Sequence, residues 1–192
     1  MKDKPLLVII NGLPGSGKTT LGKWLAVEAR LPHFSRDGIY ETLYDSLDCR
    51  MAGVPPQLGA ASFAFLYSVA GNLLAAGQSL VVEGFFGRPE LRTAEFLQLQ
   101  QKHDFKPVQI LCQADGQVLL ERYLTRTGRA DRHEGHQDLV WLEQNRERLL
   151  QGTLPPLTLD GPILNLDTTD PGSIDYAAVL EVIREFQNDR TD

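Results

Sequence analysis

Hydrophobic residues in this chain fall into two alternating patterns. Short, nearly unbroken apolar runs, such as Leu6-Leu7-Val8-Ile9-Ile10, lack the polar alternation of a half-exposed strand and read as strands buried on both faces. Between such runs, apolar positions recur three and four residues apart, as at Leu21, Trp24, Leu25 and Ala29, which is the spacing of a helix packing one stripe on a sheet. This reading places strands at 5–10, 33–36, 79–83, 106–112 and 162–167. It starts helices near Lys18, Asp37, Leu58, Pro89, Asp115, Asp138 and Ser173. Strand and helix in alternation predict an α/β fold with a five-stranded parallel sheet. Gly152-Thr153-Leu154-Pro155-Pro156 ends a helix in a loop rather than a linker, and no repeat interrupts the order, so a single domain over 1–192 is expected.

One stretch departs from this rhythm. No charged residue occurs between Arg50 and Glu83, and 58–76 is mostly apolar. A membrane span is rejected, because Ser62, Ser68, Gly71, Asn72 and flanking glutamines dilute the segment and a bilayer helix there would sever the sheet. A buried helix is the expectation, with Phe63, Phe65 and Tyr67 either packing the core or lining an apolar pocket.

The first strand runs directly into Gly12-Leu13-Pro14-Gly15-Ser16-Gly17-Lys18-Thr19, a complete G-x-x-x-x-G-K-[ST] phosphate-binding loop. In that position a glycine-rich turn aims backbone N–H groups, and the positive end of the next helix, at phosphate oxygens. Gly12, Gly15, Ser16, Gly17, Lys18, Thr19 and Thr20 are therefore the candidate contacts to ATP, with Lys18 on the β- and γ-phosphates and Thr19 on Mg2+. The fold class narrows to a three-layer P-loop NTPase. A guanine-nucleotide switch is disfavoured, since neither N-K-x-D nor D-x-x-G occurs. An oligomeric motor is disfavoured because Val81-Val82-Glu83-Gly84 ends its strand in one carboxylate, not a pair, and the chain leaves no length for a separate helical lid domain.

Composition adds a little. A net charge of −6 disfavours a dedicated nucleic-acid binder, and two cysteines give no disulfide framework and suit a reducing cytoplasm. Residues 1–5 lead straight into the first strand, so no signal peptide is expected.

Beyond the P-loop, Arg122, Arg126, Arg129 and Arg132 cluster around Thr127-Gly128, and spacings of four and three put the first three on one helical face. They read either as an arginine-bearing lid over about 126–138, clamping a transferring phosphoryl group, or as a solvated basic face. Arg126 and Arg129 are the lid candidates, and Arg122 reads as pairing with a neighbouring acid. Asp37, just past the second strand, either orients and deprotonates an acceptor hydroxyl or caps the following helix. Glu83 holds Mg2+ through water or contacts the acceptor. Arg88 and Arg92 either hold an anionic acceptor group or lie on a helix surface. His133-Glu134-Gly135-His136 has metal-like spacing but no further ligands nearby in sequence, and reads as a polar lid segment. Cys112 reads as a buried, inert thiol.

At these residues the sequence resembles the adenylate-kinase-like branch of P-loop kinases, with Val81-Val82-Glu83-Gly84-Phe85 as the strand ending in an acid and a glycine. The nearest likeness is to small kinases labelled as an AAA domain, together with chloramphenicol phosphotransferase, zeta toxins and polynucleotide 5'-kinases. The resemblance implies a catalytic aspartate at Asp37, lid arginines at Arg126 and Arg129, and a base-proximal loop at Leu166-Asp167-Thr168-Thr169. It implies a cytoplasmic kinase moving the γ-phosphoryl group of ATP to a hydroxyl of a small molecule. Nucleoside, nucleotide or polynucleotide 5'-kinase activity, and a regulatory ATP-binding protein with slow hydrolysis, are the alternatives.

Overall fold

The structure is a computed structural model that describes residues 4–188. Its centre is β1 (Leu6–Gly12), in which every residue is buried. Burial on both faces follows from the unbroken apolar run, and it fixes β1 in the middle of one all-parallel sheet of order β2-β3-β1-β4-β5, with β2 at His33–Ser35, β3 at Leu80–Gly84, β4 at Lys106–Gln113 and β5 at Ile163–Asp167. Alternate residues of β1 face opposite layers. Leu6, Val8 and Ile10 pack with Leu21 and Leu25 of α1 (Lys18–Glu28) and with Val179 and Ile183 of α8 (Tyr176–Asn188). Leu7 and Ile9 pack with Phe63, Leu66 and Ala70 of α4 (Leu58–Ala75) and with Phe96 and Leu99 of α5 (Pro89–Lys102). The remaining elements are α2 (Arg36–Ser46), α3 (Cys49–Ala52), α6 (Gly116–Arg126) and α7 (Asp138–Leu150), the last two joined by an irregular segment over 127–137.

The strand positions hold to within a residue or two, and the differences have local causes. β1 runs on to Gly12, because Asn11 and Gly12 still pair with Gly84 of β3 and Cys112 of β4 before the turn begins. The helix expected near Asp37 starts at Arg36, because Ser35 is its N-cap and accepts from the Gly38 N–H at 3.2 Å. Asp115 likewise caps α6 rather than opening it, accepting from the N–H groups of Gln117 and Val118. Near Ser173 there is a 3-10 turn, Pro171–Ser173, capped by Asp170, and the last helix begins three residues later. The four-residue α3 was not expected. Among the described residues α4 is the one helix long and apolar enough to cross a bilayer, and here it forms part of a layer, with Phe63, Leu66, Ala70 and Leu74 turned to the sheet.

Candidate active site

All parallel strands point their C-terminal ends to the same edge, and at the crevice beside β1 that edge carries the P-loop. Gly17 takes φ +77 as the N-cap of α1, a left-handed conformation that glycine adopts without strain, and a side chain there would project into open space. Gly12 is fixed for a different reason, since a Cβ would lie 2.4 Å from the Cys112 carbonyl oxygen. No side chain caps α1, and its first turn holds no acid. Its leading N–H groups and dipole end are thus left for an anion. Lys18 is buried and donates to the Leu13 carbonyl at 3.0 Å, so its ammonium is held across the loop.

Thr19 donates its hydroxyl to Glu83 at 2.9 Å. The two candidate metal positions are therefore one hydrogen-bonded pair, with Glu83 buried at the end of β3. A hydroxyl and a carboxylate are hard oxygen donors, the few protein ligands that Mg2+ takes beside phosphate oxygens and water, so these residues fit that ion. The described residues hold no larger ligand cluster. Asn11, which no sequence pattern flags, and Arg122 brace the loop. The Asn11 side-chain oxygen accepts from the N–H groups of Gly12 and Phe86, tying the ends of β1 and β3 together. Arg122, instead of pairing with an acid, donates to the carbonyls of Gly15, Thr168 and Thr169. Thr168 adds a hydroxyl bond to the Ser16 carbonyl, so the Asp167-Thr168-Thr169 strand end supports the P-loop from the far side.

The P-loop opens into a cleft of about 640 Å³ that also takes in Arg36, Asp37, Tyr40, Phe63, Phe85, Arg126, Arg132, His136 and Trp141. Asp37 lies on its wall, one residue into α2, with its side chain about half exposed. It does not cap the helix; Ser35 does. Burial pushes the Asp37 carboxyl up, but Arg36 at 3.1 Å, Lys18 and His136 pull it down further, so it sits below its ordinary value and is ionised at neutral pH. Two cleft arginines, Arg36 and Arg126, each have a buried Nε with no hydrogen-bond partner among the described residues, and Arg126 is the one nearer Arg132. Its guanidinium lies over the Tyr123 ring at 4.7 Å, its Nε is buried with no hydrogen-bond partner, and burial together with Arg132 lowers its pKa.

Arg129 needs a correction. The helix ends at Arg126, and Thr127 and Gly128, the latter at φ +83, turn the chain away, so a spacing of three no longer means one face. Arg129 lies outside the cleft, largely exposed and paired with Asp131 at 2.9 Å. Beside Arg36 and Arg126, the third guanidinium in the cleft belongs to Arg132, held by the buried Asp138 at 2.6 and 2.7 Å. Arg88 is exposed at the start of α5, and Arg92 stacks on the Phe63 ring at 3.4 Å and pairs with Glu95 at 2.6 Å; neither lines the cleft. Of the three aromatics of α4, Phe63 serves both core and cleft, Phe65 is exposed, and Tyr67 donates to Glu95. Cys112 is buried, and burial pushes its thiol up to about 12, which leaves it unreactive.

The contribution of Arg36 went unread because only its neighbour had a motif, and that of Phe85 and Trp141 because 56 residues separate them in sequence; they meet at 5.7 Å, edge to face.

Comparison with known proteins decides the family. The model of a family described as AAA domain matches residues 7–149, about three quarters of the chain. The chain is a member of this AAA-domain family. A crystal structure of a candidate kinase from Chloroflexus aurantiacus is 36% identical to this AAA domain, at a TM-score of 0.82 over 96% of this chain and 97% of that one. A sugar kinase from Janibacter sp. HTCC2649 (18% identity, TM-score 0.58, 95% and 94% covered) and a gluconokinase from Sinorhizobium meliloti 1021 (18%, 0.55, 96% and 98%) share its fold. No curated protein matches. The AAA domain thus has the P-loop kinase-like fold, which implies nucleotide binding.

Proposed function

We propose that this AAA domain is a cytoplasmic, ATP- and Mg2+-dependent kinase that transfers the γ-phosphoryl group to a hydroxyl of a small, uncharged acceptor. The observation that carries the reading is the meeting, in one cleft, of an anion-ready P-loop, an ionised Asp37 with no capping duty, and a half-buried Arg126 whose Nε has no hydrogen-bond partner. In the transfer, the acceptor hydroxyl gives its proton to Asp37 as its oxygen bonds to the γ-phosphorus. The bond from that phosphorus to the β–γ bridging oxygen breaks, and its electron pair leaves with ADP. Lys18, the P-loop N–H groups and Arg126 balance the charge on the transferring group. Bound Mg2+ neutralises phosphate charge, and Thr19, with Glu83 behind it, would hold it.

Charge supports an uncharged acceptor over a nucleotide or a polynucleotide end. The cleft is lined by four cations, Lys18, Arg36, Arg126 and Arg132, against two carboxylates, Asp37 and Asp138. A magnesium nucleoside triphosphate carries roughly two negative charges, which uses up that excess. On the acceptor side Arg36 is already paired with Asp37 and stacked between the Tyr40 and Phe63 rings, at 5.1 and 4.8 Å. The other lining residues there, Phe63, Phe85 and Trp141, are aromatic, and the Arg92 and Arg148 that lie over the Phe63 and Phe85 rings do not line the cleft.

The test is ADP release against matched acceptors: neutral sugars, nucleosides and aromatic alcohols beside sugar acids, nucleoside monophosphates and 5'-hydroxyl oligonucleotides. Turnover confined to neutral small molecules is expected. ATP binding with no acceptor-dependent ADP release overturns the kinase reading in favour of a regulatory protein. Preference for the anionic set overturns the charge assignment.

A further inference from the structure

The His133-Glu134-Gly135-His136 run is left over from the chemistry above, and the structure gives it an address. It does not touch the P-loop. It lies along α2, the helix that carries Asp37. His136 Nε2 meets Glu41 Oε1 at 2.7 Å, and His133 Nε2 meets Asp45 Oδ1 at 3.1 Å. Asp37, Glu41 and Asp45 are spaced by four, so they form one carboxylate stripe, a turn apart, running from the cleft outward. The first acid of the stripe faces the cleft, and the next two each hold a histidine.

The contact is built rather than incidental. The Tyr40 hydroxyl donates to the Gly135 carbonyl at 3.2 Å, and the rings of Tyr40 and Tyr44 pack against His136 and His133 at 5.8 and 5.3 Å. Gly135 is buried, and a Cβ there would come within 2.8 Å of the Tyr44 ring. The Gly135 N–H donates to His133 Nδ1 at 3.1 Å, which leaves the Nε2 proton of that ring to point at Asp45. The outer pair, Arg50 with Glu134 at 3.7 Å, is exposed on both sides and adds little. Ahead of the run Gly128 turns at φ +83 with open space around it, and Arg132 and Asp138, which flank the run on its two sides, are clamped to each other. A free pivot ahead of a docked run whose flanks are clamped together has the parts of a closing segment.

We infer that Glu41, Asp45, His133 and His136 are positioning residues of the proposed transfer, a latch that holds the arginine-bearing segment shut on the helix that carries Asp37. The inference rests on the kinase reading for its purpose but not for its geometry. The latch fixes the distance between the donor side, where Arg126 and Arg132 sit, and the acceptor side, where Asp37 sits, and an acceptor entering between them meets it first.

Two measurements separate the latch from the reading it serves. Limited trypsin digestion of the full chain, read by mass, reports opening through cleavage after the exposed Arg129, with no turnover needed. His136→Ala and Glu41→Ala should each raise that cleavage rate roughly fivefold or more, and the double variant no further than either single one. The second measurement uses an acceptor that supports ADP release: each single variant should lower kcat about tenfold while leaving the KM for ATP near its starting value, as lost orientation does. His133→Ala and Asp45→Ala, at the more exposed end, repeat the cycle if the first pair fails to fold. Unchanged cleavage, or full additivity in the double variant, overturns the latch. Faster cleavage with an unaltered kcat overturns its positioning role. A chain that shows the cleavage pattern but phosphorylates no acceptor keeps the latch and loses the kinase reading.

Discussion

Asp37 and Ser35 stand two residues apart and divide two jobs that the sequence alone assigned to one. Ser35 caps α2, and Asp37 faces the cleft. Asp37→Asn should therefore keep nucleotide affinity and melting temperature while lowering acceptor phosphorylation by roughly 10²- to 10⁴-fold. Ser35→Ala should do the reverse, costing about 1 kcal/mol of stability with the chemistry largely spared. Thermal melts beside initial rates on the two variants check the division, and a Ser35 variant that loses rate without melting lower would reassign it. The arginines divide in the same way. Arg126→Ala should lower kcat by roughly 10²-fold or more, since it removes a cation that lines the cleft beside the P-loop, whereas Arg129→Ala, outside the cleft, should leave kcat within about twofold. The P-loop and Asp37 were legible because a motif or a strand end carries them. Arg36 was not, because nothing in sequence says that its guanidinium will lie between Tyr40 and Phe63, residues of two different helices.

Among the elements, the α6–α7 pair carries the cleft's outer wall, and Asp138 is its fastening. It receives two bonds from Arg132 and one from the Tyr123 hydroxyl, at 3.1 Å. Burial works to raise the Asp138 pKa, yet the bonds and charge of Arg132 bring it below the ordinary 3.8. A carboxyl with a depressed folded value contributes stability that is present above its unfolded value and is lost as pH falls through the folded one. Asp138→Asn should cost about 2–3 kcal/mol at neutral pH by leaving Arg132 without its counter-charge. The gap between the two melting curves should then close as pH drops below 3.8. A gap that stays constant with pH would mean that packing, not charge, holds the pair. Helix starts at Leu58, Pro89 and Asp138 were readable to the residue. The spread of an arginine stripe past a helix end was not, because the spacing of three and four continues in the sequence after the helix has ended at Arg126.

For the whole molecule, ligand binding and stability are linked, because the phosphate cradle exists only when β1, α1 and the β5 end are assembled. Magnesium ATP at a hundredfold excess over its Kd should add about 2.7 kcal/mol, a rise of roughly 5–10 °C in Tm for a chain this long. Lys18→Ala should lose most of that rise while melting near the ligand-free protein, because among the described residues its ammonium bonds the Leu13 carbonyl alone. The sheet's composition was legible from five apolar runs; its order was not, since placing β3 between β1 and β2 depends on long-range pairing that no local pattern encodes. The Arg122 clamp carries this dependence further. Two of its three carbonyls belong to Thr168 and Thr169, beyond residue 149 where the family match stops. A fragment cut at that boundary would keep the P-loop, Asp37 and the arginines of the cleft and still hold its phosphate loop by one carbonyl instead of three, so the minimal recognisable unit and the minimal working unit of this chain are different lengths.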